Sequence, residues 1–224
     1  MIRVVKRNGR VETLDVGKIQ KYTSAAVEGL VRVSQSELEV DAKLQFRDMI
    51  SSQEIQQTLI KTAVDKIDID RPDWTFVAAR LFLYDLYHKV TGFTGYNHLR
   101  EHFERGEKEG RIVLGLKDKY DLDDLNDYIK PERDLQFTYL GIRTLYDRYL
   151  LKDRSGTPIE LPQQLFMGVA MFLAQNEFDC QTWAKKFYDI LSKFEVMAAT
   201  PTLSNSRTPR HQLRSSYIES TPDN

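Results

Sequence analysis

The feature that most constrains this chain is the dipeptide Asn8-Gly9, set between two runs of strand-forming residues, Ile2 to Val5 and Val11 to Leu14. Asn-Gly is the preferred pair for a two-residue type I′ turn, whose twist matches that of the paired strands. Residues 2–14 therefore read as a β-hairpin. Lys6 and Arg7 come just before the turn, so its tip is loaded with positive charge.

Behind the hairpin the apolar spacing becomes helical. Asp15 is placed to cap a first helix with Val16, Ile19, Tyr22, Ala26 and Leu30 on one face, ending near Gly29. Ser34 or Ser36 opens a second, with Leu38, Ala42 and Phe46 inward. Ser51 or Ser52 caps a third, where Ile55, Leu59, Ala63 and Ile67 recur at intervals of four. Asp73 caps a fourth bearing Trp74, Val77, Leu81 and Tyr84, and the GFTG stretch ends it. Residues 1–92 are thus expected to form a hairpin plus a four-helix bundle. A parallel sheet there would contradict that organisation.

Residues 93–132 are charge-rich and less periodic, a connecting region with a solvated helix over HLREHFERGEKEGR and short helical pieces after it. A helix is expected from about Asp134 to Arg148, then a second hairpin around Ser155-Gly156. Another helix starts at Leu161-Pro162, with Leu165, Gly168, Val169, Phe172 and Leu173 on its apolar stripe. One more runs from about Asp179 to Phe194. The tail beyond is short of helical periodicity. The fold class is mainly α with short β-hairpins.

Composition excludes several function classes. Lys+Arg count 32 against 33 for Asp+Glu, which argues against a broad nucleic-acid or anionic-membrane footprint while leaving room for a local phosphate site. Cys180 is the only cysteine, so neither an internal disulfide nor a thiolate-rich zinc site can form, and a plain buried or half-buried side chain is expected of it. No run of about 18 apolar residues exists, and the N-terminus lacks a signal peptide's apolar segment, so a cytoplasmic location is expected.

The hairpin and first helix together offer a phosphate environment. Lys6 and Arg7 lie beside turn N–H groups, and Lys18 lies near a helix N-terminus whose dipole favours an anion. Glu12 could accept hydrogen bonds from a sugar or base. Short basic patches are common on solvated hairpins, and chemistry alone favours that bland reading.

The spacing alters the balance. Val4, Lys6, Arg7, Gly9, Glu12, Lys18 and Ile19 resemble the opening of the ATP-cone, a regulatory module of ribonucleotide reductases. The likeness continues through Ala25 to Leu30, Ile55, Lys61, Asp70, Pro72, Asp73, Trp74 and Ala78 to Leu81, so it covers the first 92 residues. It implies allosteric binding of ATP or dATP, with Mg and no cofactor of the chain's own, by Lys6, Arg7, Glu12, Lys18, Ser52 and His88. Gln56 and Asp85 stand where some members have histidines, and His88 where some have a phosphate-contacting lysine.

From Arg133 onward, RDLQFTYLGIRTLYDRYLL, LPQQLFMGVAMFLA and ATPTLSNSRTPRHQL resemble the helical N-terminal part of the reductase catalytic domain, giving an expected third region at 133–224. By that resemblance Thr200 binds a ribonucleotide's phosphate and Ser215 lines its pocket. Ser216 stands where the family has a redox cysteine, Arg214 for a serine and Glu219 for a glycine. A serine hydroxyl cannot be oxidised to a disulfide. The expectation is a regulatory portion of a class I large subunit, catalytically silent alone. Its implied partners are the remainder of a large subunit, or a second one, and a radical-generating small subunit. DNA and membranes are not expected partners. A free-standing ATP-cone repressor would carry a CxxC-type zinc ribbon that one cysteine cannot supply. A helical adaptor whose hairpin binds nothing is the remaining alternative.

Overall fold

A computed structural model describes residues 2–216. The chain divides into two compact units, Met1–Leu86 with Leu135–Arg143, and Tyr87–Asp134 with Thr144–Asn224.

In the first unit, β1 (Arg3–Val5) pairs antiparallel with β2 (Val11–Thr13), with Val4 opposite Glu12. The hairpin stands, but the expected type I′ turn does not. The Gly9 N–H donates to the Lys6 carbonyl and the Lys6 N–H to that of Arg10, and Gly9 has φ 79° while Asn8 is not left-handed. This is a three-residue loop closed by a glycine in the left-handed region, the next most common hairpin connection. Its effect is to put Arg7 in the loop itself.

Helices α1 (Val16–Val27), α2 (Gln35–Lys43), α3 (Ser52–Asp65) and α4 (Trp74–Thr91) follow as the periodicity requires. Asp15 accepts from the Lys18 N–H, Ser34 from Glu37, and Ser51 with Glu54 completes a reciprocal capping box. Ile19, Ala26, Leu38, Ala42, Ile55, Leu59, Ala63, Trp74, Val77 and Leu81 are buried. Three residues expected inward lie past helix ends instead, among them Leu30, which is half-buried beyond Val27. Phe46 is half-buried, and Ile67 is 38% exposed.

A third strand departs from expectation. β3 (Ile50–Ser51) pairs parallel with β1, Val4 with Ile50 and Val5 with Ser51, giving the order β2-β1-β3. Two residues carry too little pattern to read as a strand, so the hairpin-only expectation fails here while the four helices hold. Met49 turns the chain into β3 at φ 62°, and Asp48 anchors it by accepting from the Arg3 N–H at 2.9 Å. A left-handed conformation is uncommon for a residue with a side chain.

In the second unit, α5 (Leu99–Lys108) and α6 (Leu122–Tyr128) precede a 3₁₀ segment at Pro131–Gln136. Helix α5 is not merely solvated: Leu99, His102, Phe103 and Gly106 are buried. Gly106 is needed because a β-carbon there would lie 2.6 Å from Ile112 Cγ1. The helix expected from Asp134 starts later, as α7 (Tyr139–Arg148), because the Asp134 side chain turns into the core at the 3₁₀ segment. The second hairpin reduces to one bridge, Lys152 with Pro158, closed over Gly156 at φ 85°.

Helix α8 (Pro162–Ala174) is apolar around most of its circumference, and such a helix belongs in the interior. Eleven of its residues are buried, so the expected stripe is too narrow, while Leu173 on that stripe is 38% exposed. It packs on α9 (Cys180–Ser192), capped by Asp179. The tail also forms a helix, α10 (Thr200–Asn205), where none was expected. No helix among the described residues is long and apolar enough to cross a membrane.

Candidate functional site: a cationic hairpin beside a helix N-terminus

The hairpin holds Lys6, Arg7 and Glu12, and the start of α1 holds Lys18. Strand β3 brings Ser52 to the same place: Ser51 pairs with Val5, the residue before Lys6, and Ser52 begins α3. The strand that sequence reading missed is thus what gathers this residue to the hairpin. His88 lies in the second unit, where its Nε2 is 3.0 Å from Thr94 Oγ1.

Each gathered cation already faces a carboxylate. Lys6 Nζ is 3.5 Å from Glu12 Oε2, and Lys18 Nζ is 3.9 Å from Asp15 Oδ2. Arg7 Nη2 is 3.4 Å from Asp85 Oδ1, and the other Asp85 oxygen accepts from Gln57 Nε2 at 3.3 Å. Glu12 and Asp15 are exposed, so their pairs are worth about 0–1 kcal/mol and exchange readily for a stronger anion. Gln56 donates to the Leu81 carbonyl at 2.8 Å. Tyr22 and Tyr84 meet at 5.9 Å between ring centroids.

In the second unit, Thr200 opens α10 with its Oγ1 3.1 Å from the Tyr149 hydroxyl. Ser215 and Ser216 are exposed beyond that helix, and Glu219 lies outside the described residues. Cys180 is half-buried, as expected, with Sγ 3.6 Å from the Lys119 carbonyl.

Sequence reading missed what anchors this tail. Arg207 is fully buried and its Nε donates to Glu160 Oε1 at 2.7 Å. The same guanidinium donates to the carbonyls of Leu203 and Tyr149. Glu160 also accepts the Leu151 N–H at 2.9 Å, and His102 Nε2 lies 3.5 Å away. Gly168 leaves room for the arginine stem, since a β-carbon there would sit 2.9 Å from Arg207 Cδ. The one available signal was a lone acid in the apolar run Pro158-Ile159-Glu160-Leu161.

A second buried carboxylate behaves oppositely. Asp134 accepts from the Tyr87 and Tyr96 hydroxyls at 2.6 Å each and from Gln163 Nε2 at 2.7 Å. Burial outweighs these three neutral donors and pushes its carboxyl up to about 6 from 3.8. Burial is the largest single influence and acts against the ionised Glu160, but the charge and hydrogen bonds of Arg207 together with His102 outweigh it and hold that carboxyl down at about 2 from 4.5. A raised acid binds its proton more tightly folded than unfolded, so Asp134 costs stability as pH rises from about 4 to 6. The depressed Glu160 contributes stability that is lost below about 4.5. Stability of the second unit should therefore be greater at pH 5 than at pH 7.5, and Asp134→Asn should remove that difference. Urea midpoints that do not fall from pH 5 to 7.5 in the unmodified chain would refute the assignment.

The ATP cone domain family matches residues 2–89, and the family described as ribonucleotide reductase, all-alpha domain, matches residues 135–211. The chain is 70% identical over its whole length to the ribonucleoside-diphosphate reductase subunit alpha of Helicobacter pylori, of which it covers 28%. It is 36% identical over its whole length to the subunit alpha of Chlamydia trachomatis, covering 22% of it. Against subunit alpha of reductase 1 from Escherichia coli it is 32% identical over 96% of its length, covering 29% of that protein. The chain thus spans under a third of these relatives. It carries an ATP cone domain followed by the ribonucleotide reductase all-alpha domain, and along its length it is similar to part of ribonucleoside-diphosphate reductase alpha subunits.

Proposed function

We propose that this chain is the nucleotide-sensing portion of a ribonucleoside-diphosphate reductase alpha subunit, serving deoxyribonucleotide synthesis. The observation that carries the reading is a hairpin bearing Lys6, Arg7 and Glu12, with Ser52 following the strand paired to it and Lys18 in the first turn of the next helix, within an ATP cone domain, the allosteric domain of that family. ATP or dATP binds there with its Mg²⁺ as an allosteric ligand. Lys6, Arg7 and Lys18 take phosphate oxygens, and Glu12 and Ser52 take the sugar or base. Residues 93–132 connect this cone to a helical region at 133–224. There Thr200 meets a substrate phosphate and Ser215 lines the pocket.

Its partners in this reading are the rest of a large subunit, or a second one, and a radical-generating small subunit, in the cytoplasm. Reduction of a ribose needs a thiyl radical and a further pair of thiols, and Cys180 is the chain's single thiol. Ser216 withholds the hydrogen-donating sulfur at its position, so the chain is catalytically silent on its own.

Millimolar ATP or dATP should raise the melting temperature of the folded cone, because a ligand bound only to the native state stabilises it by mass action. Lys6→Ala and Lys18→Ala should each weaken binding by about 1.5–3 kcal/mol, roughly ten- to a hundredfold, by removing a charge-assisted contact. Melting curves unmoved by either nucleotide, or shifted in the variants as far as in the unmodified chain, would count against the site.

A further inference from the structure

We infer that Asp85 competes with the nucleotide's phosphates for Arg7 and thereby sets how tightly the cone binds. This rests on the proposed nucleotide site and adds to it a residue that opposes the ligand.

The three carboxylates at the site are not equivalent. Glu12 and Asp15 have side chains 49% and 53% exposed, so water replaces the lysine at little cost when a phosphate draws it away. The Asp85 side chain is 1% exposed, held in α4 beneath the hairpin. A buried carboxylate interacts with a cation through a lower effective dielectric than a surface pair does, and losing that cation leaves a charge that water cannot reach. Gln57 supplies its other oxygen with a neutral donor, which is a weaker partner than a guanidinium.

Arg7 is the exposed half of the pair. Its side chain is 51% exposed, and it sits in the three-residue loop closed by Gly9. Of the guanidinium's donors it is Nη2 that meets Asp85, and a phosphate that draws this nitrogen outward takes it from the carboxylate. A phosphate arriving at the hairpin therefore competes with a fixed internal anion for the same group. Lys6, Arg7 and Lys18 are matched by Glu12, Asp85 and Asp15, so these six side chains sum to zero formal charge. Removing the buried negative charge frees the one cation that is held from inside and leaves the two surface pairs as they are.

The test is calorimetric titration of the intact chain with ATP in excess Mg²⁺. Asp85→Asn should tighten binding about tenfold, the scale of a charge-assisted contact released to the ligand. The gain should vanish in an Arg7→Ala background, where the single and double variants should bind alike. An Asp85→Asn chain that keeps its melting transition but binds no more tightly would overturn the inference. So would a gain that persists without Arg7, which would mark general charge repulsion. Should Asp85→Asn fail to fold, guanidinium nitrogen resonances of Arg7 in the unmodified chain carry the test. They should move on saturation with ATP, and unmoved signals would overturn the competition. Absence of ATP binding by every form, the unmodified chain included, would instead remove the nucleotide site itself and this inference with it.

Discussion

Arg207→Ala should destabilise the second unit by about 3–5 kcal/mol, the range for removing one partner of a buried ion pair. Glu160 would keep the Leu151 N–H and the neighbouring His102 but lose both guanidinium contacts, in a place that water does not reach. The carbonyls of Leu203 and Tyr149 would lose their guanidinium donor at the same time. The space over Gly168, kept open for the arginine stem, would become a void. Arg207→Lys should recover only part of the loss, because an ammonium cannot form the planar fork that meets both oxygens of Glu160. Trp183 belongs to this unit, so its fluorescence during urea unfolding, in a chain whose other tryptophan is phenylalanine, reports the effect directly. A change below about 1 kcal/mol would mean that Arg207 is not paired as described.

In the first unit the largest effect should come from Trp74→Ala, a loss of about 3–5 kcal/mol. Trp74 is the largest fully buried side chain, and Lys66 lies over its ring at 5.5 Å. Among the described residues its Nε1 has no hydrogen-bond partner, so the indole carries a buried donor that gains nothing. Trp74→Phe keeps most of the apolar area and removes that donor, and should cost far less than alanine does. Urea unfolding of both variants, followed by circular dichroism, separates the two terms. Equal losses would show that the indole's polar edge is satisfied and that its full shape is required.

How far the sequence carries the fold depends on how local the determinants are. The caps Asp15, Ser34, Ser51 and Asp179 act within three residues of themselves, and all four stand at the helix starts that local reading assigns or allows. β3 is set by a partner some 45 residues away, as Asp48 and Arg3 illustrate, and its two residues carry no periodicity. The Asn8-Gly9 pair announces a hairpin, yet the turn type depended on which residue took the left-handed conformation, and only Gly9 did. In the tail, Ser, Thr and Pro hide a helix because Arg207 holds it from below, through a carboxylate on a distant stretch.

The candidate site divides the same way. Lys6, Arg7, Glu12 and Lys18 lie within one hairpin and the next helix turn, so spacing alone gathers them. That each faces an opposite charge was not legible, because the partner of Arg7 comes from α4, 78 residues on. A departure such as Asp85 reads in sequence as a weakened site, whereas its geometry makes it a specific opponent of one cation.

The nucleotide-sensing reading is tested most directly by calorimetric titration of the intact chain with ATP and with dATP, in Mg²⁺ at moderate salt. Saturable binding is expected for an adenine nucleotide, weakened by added salt because exposed cations hold the phosphates, and weakened again by Lys6→Ala. No heat of binding with either nucleotide at millimolar concentration, from a chain that melts cooperatively, would contradict it.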